Sequence, residues 1–249
     1  MTSRSSRWAG VVAVGFVAVL AVAATTWALL HYRLIGQPEV APPHFTSPAI
    51  PKGTQVITVV PVDANGQAIN GFRQLPPSHD PSQDPGRVSD VFGCTASPAA
   101  VADDIYYCAP NAAGADVCWP GGPSTPGTLW CLTDPWDKGL RQVASADPLP
   151  HVLPPPTPAP FALLLDDGTQ CRLRNGGAWG GRDDGLVAAY GCPNETPAVL
   201  MPVRPDGGAA AIDRSQALWT VKVGSLGAGN PHLPPPQTRT VVTAWFAGN

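Results

Sequence analysis

Proline interrupts this chain too often for long regular elements to form. Thirty-one prolines and 26 glycines make up nearly a quarter of the 249 residues, against a usual total of about 12%. Proline fixes φ and removes a backbone donor, and glycine loses the most freedom on ordering, so much of the backbone must be turn and irregular coil. The densest tract, DPLPHVLPPPTPAP from Asp147 to Pro160, excludes a helix or a central strand and reads as an extended strap or linker.

One segment escapes this punctuation. After MTSRSSR the chain is uncharged and almost wholly apolar from Trp8 to Leu30, 23 residues, a length that would span about 34 Å as a helix. The expectation is a transmembrane anchor over 8–33, with a basic cytoplasmic end at 1–7 and everything after Arg33 outside the cytoplasm. The competing reading is a signal peptide cleaved near Ala23, with Val11 to Leu20 as its apolar core. The run continues to Leu30, and Trp27 with Tyr32 resembles an interfacial belt, which favours the anchor. On this reading the membrane is a partner and the protein is single-pass.

Six cysteines, Cys94, Cys108, Cys118, Cys131, Cys171 and Cys192, all lie beyond that segment. An even number in an oxidising space reads as three disulfides. Fifteen pairings are formally possible; proximity favours Cys94–Cys108, Cys118–Cys131 and Cys171–Cys192, each raising stability by about 3 kcal/mol. A zinc cluster is disfavoured: no C-x-x-C pair occurs, and His79, His151 and His232 lie far from the cysteines in sequence. No metal and no cofactor is expected. Charge excludes another class. Removing Arg4, Arg7 and Arg33 from the 15 basic residues leaves 12 against 18 acidic, a formal −6, which disfavours nucleic acid.

The expected fold class is mainly β: small disulfide-stapled extracytoplasmic domain(s) with short helices, preceded by one N-terminal transmembrane helix. A proline-rich stalk at 34–53 leads to a first β-rich lobe at 54–146, the strap at 147–160 and a second β-rich lobe at 161–249. Strands are expected at Gln55 to Val60, in a hairpin of Phe161 to Leu165 with Gln170 to Leu173 about an Asp167-Gly168 turn, and at Leu186 to Tyr190, Ala198 to Val203, Ala217 to Val223 and Thr238 to Phe246. In the last, Val241, Thr243 and Trp245 would share one face. Short helices are expected at Pro98 to Asp104 and at Asp134 to Val143, where Trp136 and Leu140 stand four apart. A faint echo relates ADDIYYCAPN (102–111) to RDDGLVAAYGCPN (182–194), and an internal duplication competes with coincidence.

Motifs for chemistry are weak. Around Ser225, VGSLGAG has the wrong spacing for a nucleophile elbow, although His232 and Asp213 complete a triad on paper. The doublets Asp103-Asp104, Asp166-Asp167 and Asp183-Asp184 are adjacent residues, which point apart on a strand or serve the backbone in a turn. They fit no calcium ladder. No catalytic residue is assigned.

Binding is easier to defend. Six of the eight tryptophans lie outside the apolar segment. Trp219 and Trp245 are expected in the core, whereas Trp119, Trp136 and Trp179 are candidate contacts to a ligand or partner; for Trp119 and Trp179 the competing reading is a miniature core residue covering its disulfide. In CRLRNGGAWGGRDDGL (171–186), Arg182, Asp183 and Asp184 join them as candidates. A salt-linked turn is the simpler account of that loop.

The blocks YYCAPNAAGADVCWPG, LWCLTDPWDKGLR and CRLRNGGAWGGRDDGLVAAYGC resemble those of uncharacterised cysteine-rich exported proteins of mycobacteria and related actinobacteria, over about Val88 to Asn249. The resemblance implies an envelope location and no active-site role. The expected function is therefore an extracytoplasmic envelope protein with a binding or structural role, its partner an envelope glycan or a membrane protein. The alternatives are an envelope glycan-directed hydrolase using paired carboxylates, or an accessory subunit of a membrane complex.

Overall fold

The computed structural model describes residues 52–76, 90–110, 113–174, 182–193, 197–202, 210–227 and 233–249. Ile50–Asn249 form one compact unit. Its strands are β1 (Gln55–Val59), β2 (Arg73–Gln74), β3 (Phe92–Ala96), β4 (Tyr106–Ala109), β5 (Ala115–Pro120), β6 (Thr128–Leu132), β7 (Gly139–Ala144), β8 (Ala162–Leu165), β9 (Gln170–Leu173), β10 (Leu186–Gly191), β11 (Pro197–Pro202), β12 (Ile212–Asp213), β13 (Thr220–Ser225) and β14 (Gln237–Ala247).

Strands β8, β9, β10, β11, β13 and β14 pair in turn, and β14 pairs also with β8, closing a six-stranded barrel. Closure removes exposed edges, which a chain of short strands otherwise presents along its sheets. The seam is β14, an 11-residue run rich in Thr and Val that suits a pleated, half-buried surface. Its first half meets β13 and its second half meets β8. β1 adds to it in parallel, from Gln55 opposite Thr243 to Val59 opposite Ala247. Leu163, Leu165, Cys171, Tyr190, Val199, Val221 and Val241 fill the interior. A bulge between Val241 and Thr243 shifts the alternation, so Ala244 and Phe246 join Val241 in the interior, while Trp245 packs in a separate core. The expected shared face for Val241 and Trp245 fails for that reason.

The second sheet runs β2-β7-β6-β5-β4-β3, and a bridge from Val91 to Ser145 brings the approach to β3 against the end of β7. Its central pair explains both cores. Cys118 lies opposite Cys131 and Trp119 opposite Trp130. Because adjacent residues on a strand point to opposite faces, the cysteines go to one side, with Tyr106, Leu129 and Val143. The tryptophans go to the other, with Val59, Phe161, Ala162 and Ala247. Each disulfide, Cys94–Cys108, Cys118–Cys131 and Cys171–Cys192, ties neighbouring antiparallel strands, the last just past the end of β10. Hairpins bring cysteines near in sequence to near in space.

Two groups of expectations need correction. No α-helix occurs among the described residues. Pro98 to Asp104 is a turn, and Gly139–Ala144 is strand β7. The Trp136-to-Leu140 spacing imitates a helical face, but Asp134 Oδ1 accepts from the Asp137 amide at 2.9 Å and Lys138 sits at φ 54°, so the chain turns and enters the sheet. The expected N-terminal transmembrane helix or signal-anchor, with the single-pass location and the membrane as partner, is also corrected. No helix of the described residues is long and apolar enough to cross a membrane, and 8–33, like the alternative cleavage position near Ala23, lies outside those residues.

Candidate functional site

The loop that precedes β10 is built around one arginine. Arg182 accepts from the Gly185 amide through its carbonyl at 3.1 Å and donates its own amide to Leu186 O at 3.0 Å. Gly185 takes φ 79° to close this turn. The Arg182 side chain, 4% exposed, donates from Nε and Nη2 to Asp184 Oδ2 at 2.9 and 2.8 Å. Nη1 reaches Ser225 O at 2.8 Å and Nη2 reaches Pro234 O at 3.1 Å. The planar fork thus fastens both ends of the β13–β14 connection to the start of β10. The hydrogen bond from Arg182 holds the Asp184 carboxyl below its ordinary value, with further lowering from the Leu186 amide. Asp183 is exposed and also has a partner of its own. Arg172 pairs instead with Asp134, Nη1 to Oδ2 at 3.7 Å.

The aromatic candidates separate. Trp119 is buried and donates Nε1–H to Gly248 O at 2.7 Å. It ties β5 to the end of β14 and presents no exposed face. Trp136 is half-buried and meets Trp245 edge to face at 5.5 Å between ring centres. Trp219 is half-buried, with the Arg214 guanidinium 4.6 Å from its ring centre. Trp179 lies outside the described residues, as do His79 and His232. Asp213 accepts from the Ser215 amide at 2.9 Å, and the carbonyl of Ser225 belongs to the Arg182 network.

A second polar cluster fastens the strap. Asp104, at φ 56°, accepts at Oδ1 from the Val152 amide at 3.0 Å, and its own amide donates to Val152 O at 2.9 Å. His151 Nδ1 lies 3.0 Å from the same carboxylate oxygen. The Tyr106 hydroxyl donates to Pro150 O at 2.9 Å. Burial pushes the Asp104 carboxyl up, but the hydrogen bonds from Val152, His151 and Tyr106 outweigh it and leave the group below its ordinary value. Burial, then the neighbouring Asp104 charge, pushes the Tyr106 hydroxyl up to about 12. At the far end the Tyr190 hydroxyl donates to Pro160 O at 2.8 Å, Arg214 Nη2 to Pro158 O at 3.0 Å, and the Ala159 amide to Pro98 O at 2.9 Å.

Of the sequence candidates, the structure brings together Arg182 and Asp184 and leaves Trp119 and Trp136 in the packing of the second sheet. It adds Tyr106, Tyr190 and Arg214, and gives a fastening role to Asp104 and His151, which the sequence offers only as part of an aspartate doublet and as a remote zinc ligand. A signal existed in the echo of ADDIYYC and RDDGLVAAYGC: Tyr106 and Tyr190 are the echoed tyrosines, and each donates its hydroxyl to a strap proline. All six cysteines are in disulfides. Among the described residues, no three His, Cys, Asp or Glu side chains gather as metal ligands. No protein-family model, curated protein or solved structure matches this chain.

Proposed function

We propose that this chain is a disulfide-braced β-domain of an oxidising compartment with a binding or structural role. One observation carries the reading: its chemically versatile side chains hold the fold together. The cysteines are cross-strand staples, Arg182 and Asp184 pin one end of the barrel, and Asp104 with His151 holds the strap. Three disulfides support the compartment, since glutathione and thioredoxin keep most intracellular thiols reduced. The resemblance to cysteine-rich exported actinobacterial proteins supports the same setting. A rigid scaffold with surface segments fixed on it is what binding requires, because little ordering entropy remains to be lost on association.

The test is chemical cross-linking of the intact chain in its native cells, with thiols blocked at lysis and the adducts identified by mass spectrometry. A reproducible adduct with one identified component is expected. Recovery of the chain only as an uncross-linked species with free thiols would overturn the proposal.

A further inference from the structure

We propose that the strap segment Leu153 to Thr157, a short polyproline run ending in a bend at Pro156 and Thr157, is a preformed ligand for an aromatic-lined groove on a partner protein. The inference rests on the binding role above and names the surface and the class of partner.

The backbone conformation follows from the residues. Leu153, Pro154 and Pro155 each precede a proline. A residue before proline is pushed out of the α region, and proline itself holds φ near about −65°. Leu153, Pro154 and Pro155 are therefore held in the polyproline II region, a left-handed helix with three residues per turn and no internal hydrogen bonds, and the chain then bends at Pro156 and Thr157.

The surroundings then fix this segment without covering it. On its N-terminal side, Tyr106 holds Pro150 and Asp104 holds both the amide and the carbonyl of Val152. On its C-terminal side, Arg214 holds Pro158, the carbonyl of Pro98 holds Ala159, and Tyr190 holds Pro160. Between these fastenings, no hydrogen bond to Leu153, Pro154, Pro155, Pro156 or Thr157 is made among the described residues. Leu149 and Val152 turn inward onto the disulfide-bearing core. Leu153 turns outward and at 65% is the most exposed of the large hydrophobic side chains described. Pro156 and Thr157 are exposed beside it.

Two properties select the partner. Between Pro148 and Pro160 only His151 can ionise, and it is engaged by Asp104, so Leu153 to Thr157 offers no charge to recognise. It offers prolyl rings, one leucyl side chain and bare carbonyls. Grooves lined by Trp and Tyr suit this chemistry: ring faces take the prolines, and indole or phenol donors reach the carbonyls. Fixing both ends beforehand removes ordering cost that a free proline-rich peptide would bear on binding.

The experiment places photo-reactive benzoylphenylalanine at Leu153 in the intact chain in its own cells, and separately at Val56 and Phe92, two other exposed apolar positions at 52% and 53%. Adducts are mapped by mass spectrometry. The expected result is an adduct from Leu153 at a partner site containing Trp or Tyr, suppressed by excess synthetic peptide PLPHVLPPPTPAP. With the purified partner, Leu153→Ser should weaken binding about tenfold or more at unchanged melting temperature. An adduct from Val56 or Phe92 with none from Leu153 overturns the ligand assignment and leaves the binding role standing. No adduct from any of the three overturns both. A Leu153 adduct at a surface without aromatic side chains also overturns the assignment.

Discussion

Replacing Tyr190 by phenylalanine removes one oxygen from the barrel core and keeps the ring. The hydroxyl donates to Pro160 O at 2.8 Å, and both residues are buried. The ring stays among Leu163, Val199 and Val221, so the apolar contribution hardly changes. The lost hydrogen bond accounts for about 1 kcal/mol net, and an orphaned buried carbonyl for about 1–3 kcal/mol. Water reaching Pro160 would bring the cost to the lower figure; a dry carbonyl raises it, and the burial of both partners puts the expected loss near 2 kcal/mol. The matching change at the other strap fastening, Tyr106→Phe, releases Pro150, which is exposed, and should lose about 1 kcal/mol or less. Urea unfolding with disulfides intact, followed by tryptophan fluorescence, measures both. At a slope of about 2 kcal/mol/M, Tyr190→Phe should move the midpoint by about 1 M with the slope unchanged. A loss below about 0.5 kcal/mol, or a larger loss for Tyr106→Phe, would refute the assignment of Tyr190 as the buried strap tie.

Other outcomes follow from the same geometry. Arg182→Met leaves Asp184, Ser225 O and Pro234 O without their shared donor and should lose about 2–3 kcal/mol, read by urea unfolding; a loss below about 1 kcal/mol would show that those groups find other partners. The folded-state pKa of Asp104 is lowered, so its contribution is present above the ordinary carboxylate range and is lost as pH falls through the lowered value. Hydrogen exchange at the Val152 amide should therefore lose protection on acidification while Val221, inside the barrel, keeps its own; simultaneous loss at both would mean the strap does not undock locally. Removing the Cys118–Cys131 crosslink with paired alanines opens a link of sequence separation 13 and should lower stability by about 3 kcal/mol, with a shift under about 1 kcal/mol counting against it.

Much of the second half of the fold was legible because its signals are local. Asp167-Gly168 between apolar runs specifies the β8–β9 hairpin: Gly168 takes φ 83° and Asp167 caps the turn through the Thr169 amide. The disulfide pairs favoured by proximity are the pairs found, since each joins neighbouring strands. Strand β7 was hidden by a four-residue apolar spacing, and the face switch in β14 by a bulge set by its partner strand. The strap fastening was hidden for a different reason. Tyr106 and Pro150 are 44 positions apart, and Arg214 and Pro158 are 56 apart. A hydroxyl or guanidinium meeting a carbonyl leaves no pattern in sequence, and of the two readings of Trp119, exposed contact or core residue beside its disulfide, the structure has the core residue.

Three crosslinks between neighbouring strands lock this β-domain. Non-reducing peptide mapping of the protein from its own cells, with thiols alkylated at the moment of lysis, reads those links out. Linked peptides are expected for Cys94 with Cys108, Cys118 with Cys131 and Cys171 with Cys192, with no alkylated cysteine. Alkylated cysteines, or a link such as Cys108 with Cys171, would show that the strands are not stapled in this way.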